Sequence, residues 1–154
     1  MDSGKSGDVI LGVQKTIDVD ELRKDIGSFI VVVCRDLRIP RYPKFVITTD
    51  KLKVIKTPSG RKVVLGYYDV DEETIYIPLR VLLESENPIM KVTHELAHHY
   101  QKMKYGYETI KKYIDVYNII GHERNPLEIE ADFYASLWSE VYKPLWNALV
   151  PQLK

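Results

Sequence analysis

Three histidines and a glutamate lie within six residues of the segment VTHELAHHYQ, residues 92–101. On a helix with about 100° between successive residues, His94 and His98 lie about 40° apart, one turn above the other, so both imidazoles can reach one ion. Glu95 lies beside them. Two neutral imidazoles on a metal and an adjacent carboxylate that takes a proton from water are what the H-E-x-x-H pattern supplies. The segment predicts a helix that binds Zn²⁺.

The opposite side of this helix is apolar. It carries Ile89, Val92, Leu96, Tyr100 and Met103. Gln101 is expected to lie with His94 and His98, away from that face. His99 falls about 140° from His94, against the apolar side, so we interpret it as a packed or hydrogen-bonded residue rather than a ligand.

A catalytic zinc has three protein ligands and keeps one position for water. The extended motif H-E-x-x-H-x-x-G-x-x-H fails, because Lys104 stands in place of its third histidine. The segment NPLEIEADFYA, residues 125–135, offers carboxylates instead. Glu128 and Asp132 lie about 40° apart on one helix face, whereas Glu130 points about 160° away.

We predict Glu128 as the third ligand and Asp132 as the acceptor for the free N–H of a ligating histidine. Ligation by Glu130 or by Asp132 itself is an alternative, and so is a solvated acidic first turn that the helix dipole stabilises. His122, in the turn GHERNP, is a candidate third ligand, a candidate donor to an oxyanion, or a loop histidine with neither role.

The composition limits what else the chain can do. Its 154 residues fit one domain, which we place at residues 9–154 after a mobile tail at 1–8. Lysine plus arginine and aspartate plus glutamate number 22 each, so charge gives no reason to expect nucleic acid binding.

The same sequence indicates a compartment. The start has no apolar segment of a secretory signal, and no apolar run approaches the roughly 20 residues of a membrane span. Cys34 is the only cysteine and lies in the apolar run FIVVVC, so no internal disulfide can form. These features favour a cytoplasmic protein with no membrane partner.

The order of elements predicts an α+β fold. Helix-spaced apolar residues indicate a first helix within residues 18–40, and β-branched and aromatic runs indicate strands at 44–49, 52–56, 61–70 and 73–78, forming a small, mostly antiparallel sheet. Further helices are expected between Asn87 and Gly106, over 107–120, and from Asn125 to about Pro144.

With HELAHHYQ and NPLEIEADFYA together, the sequence resembles the minimal gluzincin metallopeptidases, most closely the ImmA/IrrE-like group. The likeness covers residues 87 to about 140 well, the strands in outline and the first 40 residues hardly at all. It implies a zincin-like fold, with zinc on His94, His98 and Glu128 and Glu95 as general base. Asp132 stands where the group often has asparagine, which leaves the subfamily open.

The resemblance also implies a function, a zinc-dependent peptidase with a dedicated intracellular protein or peptide substrate. ETIYIP, residues 73–78, would be the sheet edge along the cleft, where an extended peptide adds as a strand. The alternative is a zinc-stabilised binding or regulatory module that cuts nothing. SprT-like proteases, which act on DNA-bound proteins, share the H-E-x-x-H helix, but this chain has no basic tract.

Overall fold

The computed structural model describes residues 8–11, 15–49, 53–57, 60–120 and 125–153. Its strands are β1 (Asp8–Leu11), β2 (Lys15–Asp18), β3 (Lys44–Thr48), β4 (Lys53–Thr57), β5 (Gly60–Val64), β6 (Tyr67–Asp69) and β7 (Thr74–Pro78). Its helices are α1 (Val19–Asp36), α2 (Leu79–Glu84), α3 (Pro88–Tyr105), α4 (Tyr107–Ile120), α5 (Pro126–Val141) and α6 (Lys143–Leu149), followed by a 3-10 turn, Pro151–Leu153. The α+β class is confirmed.

The first helix forms as its sequence predicts. The Asp18 carboxylate accepts a hydrogen bond from the Glu21 backbone N–H at 3.1 Å, which caps α1. The helix buries Leu22, Ile26, Phe29, Ile30, Val33 and Cys34. Phe29 meets Trp146 of α6 edge to face, with ring centroids 5.0 Å apart, so the last helix closes the core over the first.

The strands differ from the predicted single sheet. β1 pairs with β2 and β4 pairs with β5, each as an antiparallel pair, while β3, β7 and β6 form a mixed three-stranded sheet in that order. The pairing of β3 with β7 is parallel and sets Phe45 opposite Ile75 and Ile47 opposite Ile77. That register places apolar side chains of both strands on the core side, which explains the pairing.

Two strand predictions are therefore wrong. β7, predicted as the sheet edge, is the central strand, with β3 on one side and β6 on the other. The segment predicted as one strand at 61–70 forms two strands, because the extended conformation is interrupted at Gly66, whose φ is +141°. A side chain at Gly66 would also lie only 3.2 Å from the Tyr76 carbonyl oxygen, so glycine is needed there.

Three helices after the sheet, α3, α4 and α5, match the prediction closely, whereas α2 and α6 were not predicted. Pro88 opens α3 and Gly106, at φ +90°, ends it. The Asn125 side chain accepts from the Leu127 N–H at 2.9 Å and caps α5. Among the described residues, no helix combines the length and apolarity that crossing a bilayer needs. The tail predicted at 1–8 lies outside the described residues except for Asp8, where β1 begins.

Helices α3 and α5 pack closely because their contact is lined by small side chains. Ala97, Ala131 and Ala135 are fully or almost fully buried. The Thr93 hydroxyl bonds the Ile89 carbonyl of its own helix at 2.8 Å and lies 3.4 Å from the Ala135 carbonyl of α5. The two predicted motifs therefore face each other across this contact.

A charged cluster holds the other end of α3 to the turn between β6 and β7. Lys102 donates to the Val70 carbonyl at 2.6 Å and to Glu73 at 2.8 Å, and Arg41 also pairs with Glu73. Hydrogen bonding from Arg41, opposed by burial and aided by Lys102, lowers the pKa of Glu73 to about 2. The cluster fixes the sheet relative to α3.

We expect Ala131→Leu to lower the free energy of unfolding by about 1–3 kcal/mol, because the added carbons have no space between α3 and α5. Ser136→Leu is the matched control, since Ser136 is exposed on the same helix and its replacement should change stability by no more than about 0.5 kcal/mol. Urea denaturation followed by circular dichroism measures both. Equal stability of the two variants would contradict close packing at Ala131.

Glu73→Gln should lower the free energy of unfolding by about 1–2 kcal/mol near pH 7. The folded-state pKa of Glu73 is lowered to about 2 from the ordinary 4.5, so its contribution is fully present above about pH 4.5 and is lost as the pH falls toward 2. The stability difference between wild type and variant should shrink from pH 7 to about pH 3. A difference that stays constant with pH would contradict this assignment.

Candidate metal centre

His94 and His98 of α3 converge on Glu128 of α5. The Nε2 atom of His94 lies 3.0 Å from one carboxylate oxygen of Glu128, and Nε2 of His98 lies 3.2 Å from the other. One ligand atom from each of the three side chains lies within 4.8 Å of the others. Two imidazole nitrogens and a carboxylate oxygen at this spacing can hold a metal ion.

The second nitrogen of each imidazole also has a partner. Nδ1 of His94 lies 2.9 Å from the Asp132 carboxylate, and Nδ1 of His98 lies 2.9 Å from the Gln101 amide oxygen. Both partners are acceptors, so each Nδ1 carries the hydrogen. Acceptors of this kind on the outer nitrogen are typical of metal-ligating histidines, because they leave Nε2 as the donor to the metal. The donor set therefore fits a metal.

The electrostatics of the cluster depend on Glu128. Burial opposes the charge on His98, but hydrogen bonding and attraction from Glu128 outweigh it and raise the pKa of His98 to about 9. The pKa of Glu128 is lowered in return, because the two histidines outweigh its burial. A metal ion that takes these nitrogens must displace their protons, so its binding weakens as the pH falls.

Glu95 lies next to the cluster on the side of the sheet. A β-carbon built at Gly66, just before β6, would be 3.8 Å from the Glu95 carboxylate. Burial raises the pKa of Glu95 above its ordinary value, while His98 and His94 oppose that shift. The Glu95 carboxylate thus lies beside Gly66, the residue that precedes β6.

Two other candidate residues, Glu130 and His99, do not join the cluster of His94, His98 and Glu128. Glu130 lies outside the cluster and accepts hydrogen bonds from Gln101 at 3.0 Å and from the Tyr105 hydroxyl at 2.6 Å. His99 is fully buried, with Nε2 donating to the Arg41 carbonyl and Nδ1 accepting from the Tyr68 hydroxyl, both at 2.7 Å. Its prediction as a hydrogen-bonded core residue is confirmed. His122 lies outside the described residues.

Sequence reasoning missed two neighbours of the site. Gln101 was expected on the polar side of α3 but is fully buried between the two helices. Its position three residues after His98 is the signal that pairs them, since residues i and i+3 are neighbours on a helix. Gly66 approaches Glu95 from a different part of the chain, and no local pattern predicts that contact.

Comparisons of this chain with protein-family models, with curated proteins and with solved structures find no match. The resemblance to the ImmA/IrrE-like group therefore depends on the two sequence motifs alone.

We expect Glu128→Gln to weaken metal binding at least tenfold, because it replaces an anionic ligand by a neutral amide. Glu130→Gln should change the affinity less than about threefold, since its side chain lies outside the cluster and the new amide oxygen still accepts from Gln101. Competition with a chelating dye, using Zn²⁺ as the probe, measures both. The reverse order of effects would show that Glu128 is not the ligand.

Proposed function

We propose that the protein is a zinc-dependent peptidase that hydrolyses peptide bonds with Glu95 as general base. The observation that carries this proposal is the joint position of Glu95, the three metal donors and the edge strand β6. A structural metal site needs only the donors. A hydrolytic site also needs a base beside the metal and a place for the substrate, and both have candidates here.

The donor set favours zinc. Imidazole suits zinc well, and two histidines with one carboxylate are a ligand set that catalytic zinc sites use. When bound, zinc supplies Lewis acidity, which polarises a substrate carbonyl and lowers the pKa of a coordinated water. His94, His98 and Glu128 would hold the ion, and Asp132 and Gln101 would orient the two histidines.

In this proposal Glu95 transfers protons during hydrolysis. Its carboxylate takes a proton from the attacking water and delivers it to the leaving amine, the general acid and base work that a peptidase needs. In this proposal the raised pKa of Glu95 makes it a stronger base than an exposed carboxylate and brings its pKa nearer to neutral pH. His122 remains a candidate for steadying the oxyanion.

The substrate strand would lie along β6. Within the described part of the chain, β6 has a paired neighbour on one side only, because the sheet order is β3, β7, β6. An extended peptide adding to its other side would satisfy backbone hydrogen bonds. Since Gly66 precedes β6 and lies next to Glu95, the added peptide would run past the proposed base.

The resemblance to ImmA/IrrE-like peptidases extends the proposal to a dedicated intracellular protein substrate rather than general digestion. The second candidate function is a zinc-stabilised regulatory module that cuts nothing. Glu95 favours the peptidase, because a purely structural site has no need of a general base.

Glu95→Gln separates these functions. The variant keeps the size of the side chain but loses the basic oxygen, so it should fold and bind zinc like the wild type while peptide cleavage falls about 10² to 10⁴-fold. A peptide library scored by mass spectrometry measures cleavage, and atomic absorption measures zinc.

Glu140→Gln is the matched control, because it makes the same chemical change at an exposed position of α5 and should retain cleavage. Full activity in Glu95→Gln would show that another residue activates the water. A zinc-loaded wild type that cuts no member of the library and no repressor protein would favour the module.

A further inference from the structure

Gln101 is a fully buried polar residue at the contact between α3 and α5. Its amide nitrogen donates to the Leu127 carbonyl at 2.8 Å and to the Glu130 carboxylate at 3.0 Å. Its amide oxygen lies 2.9 Å from Nδ1 of His98. All hydrogen-bonding atoms of this amide therefore have partners, which a buried amide needs to be stable.

These partners fix the orientation of the amide. The Leu127 carbonyl can only accept, so the nitrogen of Gln101 must face α5 and its oxygen must face His98. An amide oxygen cannot donate, so Nδ1 of His98 must carry a hydrogen. Nε2 is then the ring nitrogen left to bind a metal, and it is the atom that lies 3.2 Å from Glu128.

We propose that Gln101 is a positioning residue that holds His98 with Nε2 directed to the metal. The inference rests on the metal site of the proposed function and adds a residue to it. The interaction differs from that of His94, whose acceptor Asp132 has a side chain 75% exposed to solvent. A buried acceptor loses less strength to water, so His98 is the more firmly oriented of the two ligands.

Two further residues hold Gln101 in place. Glu130 receives the amide hydrogen of Gln101 on one carboxylate oxygen and the Tyr105 hydroxyl hydrogen on the other. The hydrogen bonds thus run from His98 through Gln101 and Glu130 to Tyr105 at the end of α3. Glu130, an alternative ligand in the sequence analysis, lies instead two hydrogen bonds away from His98.

The test compares zinc affinity and folding stability in Gln101→Met. Methionine has a similar length but cannot accept from His98, so zinc affinity should fall ten- to a hundredfold. Gln152→Met is the matched control. Gln152 makes two hydrogen bonds to the Asp18 backbone, at 2.9 and 3.0 Å, on a different part of the fold, so its loss should lower stability and leave zinc affinity unchanged.

Gln101→Glu separates positioning from packing. It keeps an oxygen for His98 but places a second carboxyl group against Glu130 and the Leu127 carbonyl. We expect lower stability than wild type with zinc affinity within about threefold. In the zinc-loaded wild type, long-range ¹H–¹⁵N NMR correlations should show the hydrogen of His98 on Nδ1 and the metal on Nε2.

Each outcome decides the inference. A wild type that binds zinc, with a Gln101→Met affinity equal to that of Gln152→Met, would overturn the inference alone. Zinc on Nδ1 of His98 would also overturn it. A wild type that binds no zinc would overturn the metal site together with the inference. Should Gln101→Met fail to fold, the NMR assignment and the zinc affinity of Gln101→Glu still test the inference. A Gln101→Glu affinity well outside the expected threefold range would then contradict it.

Discussion

The close contact of α3 with α5 is the constraint on which the candidate site depends. The two helices bring donors that are 30 or more residues apart in the chain to one point, and neither carries a complete ligand set. Ala97, Ala131 and Ala135 permit this approach because they are small and buried. A metal site tolerates displacements of only a few tenths of an ångström in its ligands, so larger side chains at this contact would separate the donors.

The rest of the fold packs against the side of α3 that faces away from α5. The apolar side of α3 packs into the core that α1, α6 and the sheet complete, with Val92 and Leu96 fully buried. At the far end of α3, the charged cluster around Glu73 and the His99 hydrogen bonds fix the helix to the sheet. These contacts set where Glu95 lies relative to β6, which a two-helix pair could not do alone.

Local periodicity predicted α1, α3, α4 and α5 and which side chains share a face of each helix. His94 and His98 are one turn apart, and the spacing of Glu128 from Asp132 defines one face of the next helix. The direction of Glu130 follows from the same geometry. Asp132 meets His94 through Nδ1, the contact proposed for it.

The predictions that were wrong concern contacts between distant segments of the chain. The parallel pairing of β3 with β7 and the central place of β7 cannot be read from alternation, because alternation gives the face of a strand and not its neighbour. Gln101 looked like a polar surface residue, since helical position alone does not show that α5 covers it. The approach of Gly66 to Glu95 arises from the same long-range folding.

X-ray absorption of the zinc-loaded protein tests the central claim most directly, that two histidines and one carboxylate hold a metal with a position left for water. We expect one zinc per chain and a shell of nitrogen and oxygen atoms at about 2.0–2.1 Å with the scattering of two imidazole rings. His98→Ala should reduce either the zinc content or the imidazole scattering. A zinc content well below one per chain, or a shell without two imidazoles, would contradict it.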